Sequence, residues 1–146
     1  MSYSEKVQGL RGILTAQKED LTTVADLLTS YVTCSRVQLR RLALLITTAI
    51  VSPTSSCVVT VSKRPTVGSD TGRTTIATIT IPTGVAAGKV YYKDVDDIVL
   101  DPGNELMFAV TTACAGAGAA GKAVSLFECY DQPETPANQS NMVASA

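Results

Sequence analysis

The chain predicts an all-β fold: a jelly-roll-like antiparallel β-sandwich with an N-terminal arm and an extended C-terminal tail. Three observations carry this. Apolar and polar residues alternate with period two in most of the runs between Val37 and Tyr130. Those runs are rich in Val, Ile and Thr, which suit a pleated, half-buried surface. Clusters of Pro, Gly, Asp and Asn interrupt them at intervals of roughly 8–12 residues, the spacing of turns in sandwiches. A length of 146 residues fits one domain with its own core. We divide it into an arm (1–20), a sandwich (21–131) and a tail (132–146).

In the arm, Tyr3, Val7, Leu10 and Leu14 recur at helical spacing, and Ser2 or Ser4 would cap a first turn. Gly9 and Gly12 weaken such a helix by about 1 kcal/mol each, so the arm is expected to order against another surface. Residues 21–33 are ambiguous, with helical spacing at Leu21, Val24 and Leu28 but β-favouring residues near the end. Val37 to Val51 is apolar on both faces apart from Arg40 and Arg41, which suits a long central strand bent by a bulge. Pro53 stops it.

Cys57 to Lys63 follows as a half-buried strand with Cys57, Val59 and Val61 on one face. Arg64 to Arg73 has the composition of a loop. Thr74 to Ile81 alternates, with Ala77, Ile79 and Ile81 on one side. Lys89 to Lys93 and Ile98 to Leu100 predict two short strands, with Val90 and Tyr92 opposite Lys89, Tyr91 and Lys93. Asp101-Pro102-Gly103-Asn104 is a turn. Glu105 to Thr111 points Leu106, Phe108 and Val110 inward, and Lys122 to Tyr130 is the last strand. The tetrapeptide Ala-Ala-Gly-Lys occurs at 86–89 and again at 119–122, each time opening a strand.

Composition restricts function. The net charge of −1 argues against a nucleic-acid partner, whose phosphates call for a basic surplus. Residues through Arg64 carry eight basic and four acidic groups, and those beyond carry four and nine. This split suits head-to-tail contacts between copies, although pairing of the two halves within one fold is the favoured reading. No apolar run is long enough for a membrane span by a helix, and Met1–Asp20 lacks the apolar core of a leader. Synthesis in a reducing cytoplasm is therefore expected. Cys34, Cys57, Cys114 and Cys129 lack a C-x-x-C spacing and read first as free thiols, mostly buried.

Chemistry is sparse. Without histidine there is no Ser-His-Asp or Cys-His pair, and the chain is read as non-enzymatic, with no cofactor or metal. Gly84 to Lys89 imitates a phosphate loop, but it has one residue too few between its glycines and leads into a strand. Ser62 and Lys63 are adjacent strand residues and so point to opposite faces. Asp94, Asp96 and Asp97 are either oxygen ligands for a cation or a solvated turn. Arg36, Arg40 and Arg41 are either a basic patch for an acidic partner or a strand end facing water.

The stretch RPTVGSDTGRTTIATITIPTGVAAGKVYYKDVDDIVLDPGNEL (64–106), with the closing PANQSNMVASA, resembles small β-sandwich virion proteins of tailed bacteriophages. These are the capsid decoration (cement) proteins and related head proteins. The resemblance implies a homotrimer on the outer surface of the virion capsid, bridging copies of the major capsid protein through its terminal arms. It makes Tyr3, Val7, Leu10, Leu14, Arg36, Arg40, Arg41, Met142 and Val143 the expected partner-binding residues. The alternative is a tail, baseplate or head-fibre component whose loops bind a receptor or glycan.

Overall fold

Buried backbone N–H and C=O groups must be paired. In a computed structural model of the protein they pair in two four-stranded antiparallel sheets. The structure describes residues 10–15, 18–132 and 145. The strands are β1 (Leu10–Thr15), β2 (Asp26–Val32), β3 (Val37–Val51), β4 (Cys57–Arg64), β5 (Thr74–Ile81), β6 (Val90–Leu100), β7 (Glu105–Thr112) and β8 (Ala120–Asp131). Sheet A has the order β1-β8-β3-β6 and sheet B the order β2-β7-β4-β5. Only the β4–β5 connection stays within one sheet; every other connection crosses between them. Eight strands wound in this order form a jelly roll.

The core is the set of inward positions that alternation requires. Leu39, Leu42, Leu44, Ile46 and Ile50 of β3 belong to one buried cluster with Val59 and Val61 of β4 and Leu106, Phe108 and Val110 of β7. Ala77, Ile79 and Ile81 of β5 are buried while Thr78 and Thr80 are exposed, as the period-two pattern predicts. Tyr31 of β2 meets Phe127 of β8 edge to face, with ring centroids 4.7 Å apart, and so ties sheet B to sheet A.

Two expectations are corrected and one ambiguity is resolved. Within the helical arm expected over 1–20, Leu10–Thr15 is a strand at the edge of sheet A, in register with β8 from Leu10↔Tyr130 to Thr15↔Ser125. Gly12 disfavours a helix there, and the free side of β8 offers a ladder of hydrogen bonds. Among the described residues the sheets therefore begin at Leu10, ahead of residue 21. In the ambiguous segment, Asp26–Val32 is a strand whose register with β7 shifts twice. The two short strands expected around Asp94–Asp97 are a single strand, β6, with a wide bulge. Leu39 pairs with Ile98 and Arg41 with Asp94, which leaves Val95, Asp96 and Asp97 looped out and Asp97 at φ 61°. Of the tail 132–146, only Gln132 and Ser145 are described; the Gln132 N–H donates to Arg36 O at 3.0 Å.

The repeated tetrapeptide serves two purposes. Gly88 has φ +88° and turns the chain into β6, whereas Gly121 permits a close approach. A Cβ on Gly121 would lie 2.8 Å from Ile50 Cδ1 and 3.2 Å from Cys114 Sγ. Phe127 is buried between the sheets, so Phe127→Ala should cost about 3–5 kcal/mol in urea unfolding, the usual range for a buried aromatic. A loss below about 1 kcal/mol would contradict this cross-sheet packing.

Candidate interaction face

The outer faces of the two sheets differ. Sheet B turns out threonines: Thr60, Thr78, Thr80, Thr111 and Thr112 are exposed or half-buried, and the Thr60 and Thr111 hydroxyls lie 2.9 Å apart. Sheet A turns out an apolar band flanked by a charged row. The cause is in β3, where the inward positions run 37, 39, 42, 44, 46, and Ala43 between them is buried as well. The slip after Leu39 is a bulge, and the register with both β8 and β6 shifts there. Alternation alone would send one arginine inward. The bulge keeps both outside.

Arg41 is opposite Glu128 of β8 and Asp94 of β6. Its Nε donates to Asp94 Oδ1 at 2.6 Å, and its guanidinium carbon lies 4.3 Å from the Tyr92 ring centroid. Arg40 Nη1 donates to Glu128 Oε2 at 2.6 Å. The Arg41 hydrogen bond holds the Asp94 carboxyl below its usual range against the opposing effect of desolvation. Arg36 Nε is 3.4 Å from Asp101 Oδ1. The three arginines, read either as a basic patch or as a strand end facing water, therefore all have carboxylate partners within the chain. Next to the charged row, Ala43 is opposite Leu126 and Tyr92, and Leu45 is opposite Val124 and Val90. Val90 and Tyr92 are 50% and 57% exposed, on an edge strand. The register continues to Leu14, opposite Leu126, and Leu10, opposite Tyr130. Tyr3, Val7, Met142 and Val143 lie outside the described residues.

Sequence reasoning missed the apolar band, although its signal was visible: a strand apolar on both faces must present one of them away from the core. It also missed the internal anchor of loop 65–73. Glu105 is 1% exposed, and it accepts two hydrogen bonds from Arg64, from Nε and Nη2, each at 3.0 Å. Arg64 Nη1 also donates to Asp70 at 2.9 Å. Arg73 donates to Asp70 at 3.2 Å and to Ser62 Oγ at 3.0 Å. Arg73 and Arg64 together hold the Asp70 carboxyl below its usual range.

The phosphate-loop imitation has another use for its backbone. Gly84 N–H donates to Ile50 O at 2.8 Å and Gly88 N–H to Ile46 O at 2.7 Å. Ile50 and Ile46 donate back to Val85 O and Lys89 O, so the loop extends the β6 side of the β3 ladder. Ser62 and Lys63 diverge, since Lys63 Nζ donates to Val99 O across the sandwich at 3.1 Å. A cleft of about 560 Å³ beside the β1–β2 connection is lined by Lys18, Glu19, Asp20, Thr23, Ala25, Leu27 and Lys122. Its rim mixes both charges, and Thr22 and Thr23 already donate hydrogen bonds to the Asp20 carboxylate. Among the described residues no group of three or more His, Cys, Asp or Glu side chains could hold a metal ion. The chain matches no family model, no curated protein and no solved structure.

Two outcomes follow from the ion pairs. Arg64→Met strands the buried Glu105 carboxylate and should lower the thermal midpoint more than the double change Arg64→Met/Glu105→Leu, which removes both charges; equal midpoints would contradict the pairing. Asp94 has a depressed folded-state pKa, so its contribution is present above the unfolded value of about 3.9 and is lost as pH falls through the folded value. Urea melts between about pH 6 and pH 2 should show Asp94→Asn less stable than the parent at the upper end, with the gap closing towards the lower end.

Proposed function

We propose that the protein is a non-enzymatic capsid decoration protein. It binds the outside of a major capsid protein lattice and associates with copies of itself as a trimer. The observation that carries this reading is the apolar band on the outer face of sheet A, where Val90 and Tyr92 are exposed and Leu45 and Leu126 half-buried, beside a row of internally neutralised charges. A surface of that kind suits burial against protein, because its arginines bring their own counter-charges. Jelly rolls recur among viral capsid proteins, and also among lectins and cupins, so the fold supports the reading without assigning it.

Loop-borne glycan or receptor recognition has less support. Among the described residues every tyrosine and phenylalanine lies on a strand, so no loop aromatic offers a stacking platform for a sugar. The alternative of a tail or fibre adhesin therefore lacks a specific observation in its favour.

Because β1 belongs to sheet A, we assign the lattice contacts of the terminal segments to 1–9 and 133–146. Capsids assembled without this protein should recruit the full-length chain to a fixed number of copies per particle. Deleting 1–9 or 133–146, or introducing Tyr92→Glu, should reduce that number at least ~10-fold, equivalent to about 1.4 kcal/mol of binding. The far-ultraviolet spectrum and the cooperativity of unfolding should be kept. Undiminished occupancy by all three variants, or no recruitment of the parent, would overturn the reading.

A further inference from the structure

Cys57 and Cys114 come from different segments and meet at one end of the sandwich. Cys57 opens β4, and Cys114 lies just past the end of β7; the two strands are paired at Val58↔Thr112. Both are buried, at 0% and 3% exposure, and both belong to the apolar core cluster. The Cys114 sulfur and backbone are close enough to the Cys57 sulfur to act on its ionisation. Cys114 is held in place, since its N–H donates to Leu21 O at 2.8 Å and its sulfur lies 3.2 Å from where a Cβ on Gly121 would sit. Cys129 is opposite Leu39, near the other end of β3, and Cys34 is exposed. The fold therefore brings Cys57 and Cys114 together as a pair.

We propose that Cys57 and Cys114 are a disulfide site, reduced when the protein is made and oxidised to a cystine in an oxidising medium. The oxidant is a small disulfide such as glutathione disulfide. One cysteine thiolate attacks it and releases one glutathione thiol; the second cysteine then displaces the other glutathione from the mixed disulfide. Two S–H bonds are lost, one S–S bond forms, and the small disulfide is reduced to two thiols. Burial and the adjacent Cys114 sulfur push the Cys57 thiol up to about 12, so its thiolate is scarce at neutral pH and the reduced pair persists in the folded core. Exchange therefore proceeds through opening of the segment after β7. The cystine would join β4 to the β7–β8 connection across a long loop, where a cross-link constrains the unfolded chain strongly. This inference does not rest on the capsid reading.

The test uses the full-length chain with Cys34→Ser, held at neutral pH in a glutathione redox buffer. One sample is oxidised while folded and one during refolding from urea. The expected product has lost the mass of two hydrogens, gives a single cross-linked peptide pair containing Cys57 and Cys114, and keeps Cys129 reduced. Its thermal midpoint should exceed that of the reduced form by at least ~5 °C. Adding Cys57→Ala or Cys114→Ala should abolish both the mass change and the rise. If both thiols survive refolding in the oxidising buffer, the inference fails. It also fails if either pairs with Cys129, or if the rise persists without Cys57.

Discussion

The fifteen residues of β3 hydrogen-bond to β8 along one side and to β6 and the 82–89 loop along the other. A strand enclosed in this way must meet two demands. Its inward positions have to fill the space between the sheets, and its outward positions have to remain compatible with neighbours on both sides. Leu39, Leu42, Leu44, Ile46 and Ile50 meet the first. Arg40 and Arg41 meet the second only because the bulge after Leu39 places them where Glu128 and Asp94 stand. Removing that bulge would turn Arg41 into the core and reverse the faces of everything downstream.

From this constraint comes the difference between the two sides of the molecule. Sheet B is closed by threonines and by the buried Arg64–Glu105 pair, which fastens loop 65–73. A buried pair of this kind adds little net stability but punishes the loss of either partner, so it fixes the loop's position. Sheet A neutralises its charges internally and leaves Val90 and Tyr92 open on an edge strand. Edge strands are normally blunted, and here the looped-out Asp96 and Asp97 do so on only half of β6. The Val90–Lys93 half carries the apolar band.

Local pattern made most strands legible, because a half-buried strand writes its alternation into the sequence: β4, β5, β7 and β8 could be read directly. Where the sequence misled, two local explanations competed. Leu10 and Leu14 satisfy a helical stripe as well as an edge strand, and only the free side of β8 decides between them. Asp94, Asp96 and Asp97 resemble a turn, although β6 runs through them by looping out three residues. The strand order itself is non-local, since β1 pairs with β8 and β2 with β7 across almost the whole chain. The interaction face was half legible. The arginines stood out as charges, but their partners Glu128 and Asp94 are 88 and 53 residues away.

The central claim is that this rigid sandwich works through protein contacts made by the outer face of sheet A. The most direct measurement is the mass of the intact protein in solution by light scattering, for the parent and for Tyr92→Glu. The account predicts a parent of about three times the 15.3 kDa of one chain, stable to dilution, and a variant that falls to a single chain while keeping its fold. A parent that stays at 15.3 kDa at every concentration, or a variant that keeps the parent's mass, would contradict it.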